Sequence, residues 1–166
     1  MAMCGPALLK QHKEVIMDKW DERWIEMAKL VSSWSKDPRW KIGAIVVRDR
    51  QLLSIGYNGF PRDIADTHER LSNRESKRLF TIHAEKNAIY NAVHNGINLT
   101  DATIYVYGLP TCSECMKGII QSGINRVVAV YPNDAEPKYI ESSANSAELA
   151  KLAVVVYDEV LIGGKL

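Results

Sequence analysis

From Asp18 onward, apolar residues return at helical spacing: Trp20, Trp24, Met27, Val31 and Trp34. The pattern predicts a helix from Asp18 that ends near Ser35, before Asp37-Pro38, because a residue preceding proline is pushed out of helical geometry. Its tryptophans read as core or subunit-contact residues. Residues 42–47 are apolar and β-branched, charged Arg48-Asp49-Arg50 follows, and residues 52–57 resume the apolar pattern. Together they predict a β-hairpin. Residues 58–80 are polar and charged with little apolar period, which predicts a long irregular connection of the kind that carries function. Residues 84–95 read as a helix with Ala84, Ala88, Ile89 and Ala92 inward and Gly96 as its stop. Then come a strand at 103–107, a helix at 116–122, a strand at 127–130, a polar loop to about 142, a helix around 146–152 and a strand at 154–157. Strands interleaved with helices predict a layered α/β domain with a mostly parallel sheet. The helix before the last strand favours a parallel crossover, since an antiparallel return needs only a tight turn.

Composition narrows the class without naming a function. The 166 residues suit one domain, residues 18–166, behind a flexible arm at 1–17. Apolar and charged shares of 46% and 25% are those of a soluble globular protein. No apolar run approaches the roughly 20 residues that span a bilayer. The stretch at residues 5–9 is too short for a secretory core and lacks a basic leader, so a cytoplasmic location is the default expectation. A net charge of +1 argues against a dedicated nucleic-acid binder but leaves small anionic ligands open. Three cysteines do not make a disulfide framework: two form a close pair and Cys4 stands alone.

Two short strings carry the chemistry: His83-Ala84-Glu85, then Cys112-Ser113-Glu114-Cys115, with 26 residues between Glu85 and Cys112. One imidazole and two thiolates suit three corners of a tetrahedral zinc site and leave the fourth for water. Glu85 is placed to move protons to and from that water. This order of residues is the one zinc-dependent nucleobase deaminases use. Helix positions i and i+2 diverge by about 200°, so His83 and Glu85 line one pocket only if the helix begins there. Thr111-x-x-Glu114 has the form of a capping box, which would put both cysteines on a first helical turn whose dipole favours thiolate. A C-x-x-C that follows a strand and opens a helix also suits a redox dithiol, and a lone histidine is more often structural. The combination favours the metal. His94 reads as a surface or core residue. His68 has no nearby cysteine or histidine, so no second metal is expected in its loop.

At these residues the chain resembles the cytidine deaminase-like superfamily, and more narrowly its deoxycytidylate deaminase branch. The likeness runs from about Trp20 to Val156. It rests on Ser35-Lys36-Asp37-Pro38 leading to Ile42-Gly43-Ala44, on Gly56-Tyr57-Asn58-Gly59-Phe60-Pro61, and on the two strings above. The resemblance implies a three-layer α/β/α fold around a mixed, mostly parallel five-stranded sheet. It implies Zn2+ held by His83, Cys112 and Cys115, Glu85 as proton shuttle, and hydrolytic deamination of dCMP to dUMP and ammonia. Asn58 would contact the sugar and Ala84 the cytosine ring through its backbone. The 24 residues between Asn58 and His83 form a long charged insertion, as expected where a nucleotide phosphate must be handled. Arg62, Arg70, Arg74, Lys77 and Arg78 are phosphate candidates there, with Arg70, Arg74 and Lys77 on one face if the segment is helical; the alternative is a solvated charged face. Arg39 and Lys41 form a second candidate pair. The resemblance also implies a homo-oligomer and leaves room for a deoxynucleoside triphosphate effector. Two departures stand out: Thr111 occupies the position where the family usually has proline, and the insertion lacks the extra cysteine and histidines of a second zinc site. Deamination of another nucleotide or nucleoside, and an inactive zinc-containing nucleotide-binding regulator, are the alternatives.

Overall fold

The structure, a computed structural model, describes residues 17–132 and 136–162. The expected N-terminal arm, Cys4 included, lies outside the described residues apart from Met17. Helix α1 spans Lys19–Ser32, and Asp18 caps it: its carboxylate accepts from the amides of Trp20 (2.7 Å) and Asp21 (2.8 Å), and Asp21 reaches back to the Asp18 amide. The expected hairpin follows as β1 (Gly43–Arg48) and β2 (Gln51–Tyr57), closed by Asp49 and Arg50, both at positive φ (51° and 61°) as a two-residue I′ turn needs. After the connection come α4 (Ala84–His94), β3 (Thr103–Tyr107), α5 (Ser113–Gln121), β4 (Arg126–Pro132), α6 (Pro137–Leu152) and β5 (Val156–Ile162).

The connection itself is not irregular throughout. It contains α2 (His68–Ser72), capped by Thr67, and α3 (Arg74–Phe80), capped by Asn73. Neither helix has a buried residue, so neither had an apolar stripe to read. Asn73 sits between them in extended geometry (φ −81°, ψ 119°) and breaks the run. The single face expected to join Arg70 to Arg74 and Lys77 therefore does not exist. Helix α6 begins nine residues before the expected 146, and β5 extends to Ile162.

The strands form one five-stranded sheet in the order β2-β1-β3-β4-β5. β1 opposes both its neighbours, β2 and β3, whereas β3, β4 and β5 run parallel. Four of the five strands thus share a direction, and the last connection is the parallel crossover expected. Alternation splits the strand side chains between two cores. Ala44, Val46, Ile104, Val106 and Val127 meet Ala84, Ala88, Ile89 and Ala92 of α4 and Met116 and Ile119 of α5. Ile45, Val47, Tyr105, Tyr107, Val128 and Val130 meet Ala28 and Val31 of α1 on the opposite face. With α6 also joining the first core through Ala150 and Leu149, the layers are α/β/α. No helix among the described residues is long and apolar enough to cross a membrane.

Candidate active site

The chain turns sharply at Gly108 (φ 121°) after β3, where a Cβ would fall 2.7 Å from the Lys41 carbonyl. It then delivers Cys112 to the start of α5. Cys112 is the N-cap of α5, and His83 is the N-cap of α4, both in extended geometry with no side-chain cap of the usual kind. The capping box expected at Thr111 and Glu114 is not formed: α5 starts one residue later, and Glu114 pairs with Lys117 instead. Two helix N-termini, with their free amides and positive dipole ends, still converge on one point.

At that point the His83 Nδ1 lies 3.4 Å from the Sγ of Cys112 and 3.4 Å from the Sγ of Cys115. The ligand atoms of the three residues lie within 4.8 Å of one another. Zinc bonds of about 2.3 Å to sulfur and 2.0–2.1 Å to nitrogen, at tetrahedral angles, would set N···S edges of roughly 3.6 Å. The donor set and its spacing therefore fit zinc closely. Exposure is graded across the site, with His83 open to solvent, Cys112 partly covered and Cys115 buried.

The electrostatics agree. The neighbouring Cys115 thiol, and then His83, hold the Cys112 thiol down at about 4 against the effect of burial. Cys115 shifts the other way, because it keeps a proton for Cys112 and is itself buried. Together the pair offers one ready thiolate and one thiol that a metal would deprotonate. His83 is pushed up, chiefly by its hydrogen bond to Cys112. Glu85 stands in the first turn of α4, 4% exposed, outside the three-residue ligand group. Burial pushes its carboxyl up.

The chain neighbours of Asn58 and His83 are joined by a two-residue bridge: Ile82 N–H donates to the Gly59 carbonyl (2.8 Å) and Gly59 N–H to the Ile82 carbonyl (3.2 Å). Asn58 is 6% exposed. Its side chain braces the segment before β1, accepting from the Ile42 amide and donating to the Trp40 carbonyl, each at 2.8 Å. Ala84 is wholly buried at the first position of α4.

The basic candidates separate. Arg39 is exposed and pairs with Glu136 at 2.5 Å. Lys138 meets the same carboxylate at 2.9 Å, and Arg74 contributes to holding it below its ordinary range, after the larger effect of Lys138. Arg39 thus pairs with Glu136 directly, and Arg74, 35 positions farther along the chain, acts on the same carboxylate through its charge alone. Three of the others are engaged elsewhere: Lys77 with Asp37 at 3.0 Å, Arg62 with Asn91, and Arg70 with the Ala65 carbonyl. Glu136 and Lys138 had no signal in the sequence, since 97 positions separate Glu136 from Arg39. His94 and His68 are both exposed, and among the described residues only His83, Cys112 and Cys115 form a metal-type cluster.

Comparison with known proteins agrees with this geometry. Residues 18–131 match the model of the cytidine and deoxycytidylate deaminase zinc-binding region. An uncharacterised deaminase of Aliivibrio fischeri is 40% identical over 112 residues, covering 68% of this chain and 73% of that protein. The deoxycytidylate deaminase of Mus musculus is 34% identical over 147 residues, covering 84% of this chain and 78% of that protein. The fold matches that of a dCMP deaminase from the cyanophage S-TIM5, solved in complex with dCMP and dUMP (TM-score 0.68, 21% identity, 87% of this chain and 99% of that one). With the matched region enclosing all three metal-type residues and Glu85, this chain belongs to the deoxycytidylate deaminase family, zinc-dependent nucleotide deaminases of the cytidine deaminase-like superfamily.

Proposed function

We propose that this protein binds zinc and hydrolyses dCMP to dUMP and ammonia. The observation that carries the reading is the buried Glu85 carboxylate beside a three-donor site that leaves one tetrahedral position free. His83, Cys112 and Cys115 would hold the metal. Zinc, when bound, supplies Lewis acidity and lowers the pKa of water to about 7, making hydroxide available at neutral pH. Glu85 would take the proton released as water adds to the amidine carbon of the base. Because burial raises its affinity for a proton, Glu85 would hold it and hand it to the ring nitrogen, then carry the proton of the newly added hydroxyl to the amino group, which leaves as ammonia while the carbonyl of the product forms.

The remaining roles extend this reading to the substrate. The Ala84 backbone borders the ring. Asn58 keeps one lone pair and one N–H proton beyond the two hydrogen bonds that brace it, and these reach the sugar. Arg39 and Arg74 take the phosphate, which competes with Glu136 for them. The decisive variant is Glu85→Ala. It should abolish ammonia release from dCMP while leaving one zinc per chain by metal analysis; near-normal turnover would contradict the proton-shuttle role.

A further inference from the structure

Cys112 is held from both sides by a helix that contributes no ligand. The Ser146 hydroxyl of α6 donates to the Thr111 carbonyl at 2.7 Å, the peptide group just before Cys112. The Ser142 hydroxyl accepts from the Ser113 amide at 3.4 Å, the peptide group just after it. Positions 142 and 146 lie one turn apart on a single helix face. Ser146 is fully buried, and its only proton favours Thr111 over the Ser142 carbonyl at 3.0 Å. The Ser113 amide is the first of α5 and has no partner within that helix. Helix α6 therefore supplies from outside the cap that Cys112 does not provide. Its footing is separate: Ser143, next to Ser142, hydrogen-bonds Glu159 of β5, which also accepts from the Tyr131 hydroxyl at 2.8 Å.

We propose that Ser142 and Ser146 are positioning residues of the metal site. By fixing the two peptide planes that flank Cys112 (φ −79°, ψ 160°), they direct its Cβ–Sγ bond toward His83 and Cys115. Metal bonds tolerate errors of only about 0.2 Å in ligand position. Outer groups that orient ligands are worth roughly 10- to 100-fold in metal affinity or activity. The proposal rests on zinc binding at this cluster.

The test is the rate at which zinc-loaded protein gives up its metal to a chromogenic chelator, measured for the wild type and for S146A, S142A, S142T and S143A. Wild type should carry one zinc. S146A should release it about 10-fold faster, S142A faster by a smaller factor, and S142T, which keeps the hydroxyl, at close to the wild-type rate. S143A loses a contact to β5 and not to the Cys112 loop, so it should lower the thermal midpoint and leave release unchanged. Wild-type protein without zinc would remove the metal reading itself. Zinc-loaded wild type with S146A and S142A releasing at its rate, or S143A accelerating release as much as they do, would overturn the positioning role alone. S142A stands as the independent readout if S146A does not fold.

Discussion

Asp21 lies 3% exposed near the start of α1 and accepts hydrogen bonds from Arg126 (2.7 and 2.9 Å) and from the Tyr105 hydroxyl (2.7 Å). Burial pushes its carboxyl up, but Arg126 and Tyr105 together outweigh that and hold it below the ordinary range. A carboxylate whose folded pKa is depressed contributes stability above its unfolded value, about 3.9, and loses it as pH falls through the folded value. Asp21→Asn should therefore cost about 3 kcal/mol at pH 7, the order expected for breaking a buried pair. Urea unfolding at pH 7 and below pH 3 checks this, and the gap from wild type should shrink in acid. An equal gap at both pH values would mean that the charge is not the source. At this scale the clustering of His83, Cys112 and Cys115 was legible in the chain, because their spacing and the helix starts are local properties. The Asp21–Arg126 pair and the Arg39–Glu136 pair were not, since each joins residues that only the folded chain brings together.

The elements meet through small residues. A Cβ on Gly43 would lie 2.1 Å from the Ala28 carbonyl of α1, and one on Gly56 would lie 2.2 Å from the Ala88 amide of α4. The hairpin is thus gripped by helix backbones on both faces, and those backbones cannot move aside as a side chain could. Gly43→Ala should destabilise the protein by about 2–3 kcal/mol, with overpacking exceeding the few tenths gained from a stiffer unfolded chain. A thermal midpoint at or above that of wild type would contradict the close approach. Elements with an apolar stripe, such as α1, β1, β3 and α4, were readable within a residue or a few. The first half of α6 was not, because Ser142 and Ser143, like Ser146 beyond them, stand where apolar residues normally face a core. Their hydroxyls are instead satisfied by Ser113, Glu159 and Thr111. β5 runs past the expected 157 for the same reason: Asp158 and Glu159 interrupt its apolar pattern and find Arg126 and Tyr131.

At the scale of the molecule, the sheet sets the chemistry. β3 delivers the loop that carries Cys112, the Gly59–Ile82 bridge delivers His83, and α4 and α5 then lead away from the His83–Cys112–Cys115 cluster with their positive ends toward it. α6 touches both the proposed phosphate residue and the Cys112 loop, with Glu136 on Arg39 at one end and Ser142 and Ser146 on that loop farther along. This arrangement predicts a pyrimidine deaminase that selects its substrate by phosphate. The direct measurement is ammonia release by zinc-loaded protein from dCMP and, beside it, from deoxycytidine. Turnover of dCMP to dUMP with one ammonia per turnover is expected. Deoxycytidine should be slower by about 10-fold or more, the worth of one charge-assisted hydrogen bond, with Arg39→Ala narrowing that gap. Equal turnover of both substrates would contradict phosphate selection. No turnover of dCMP by protein carrying one zinc per chain would contradict the proposed function.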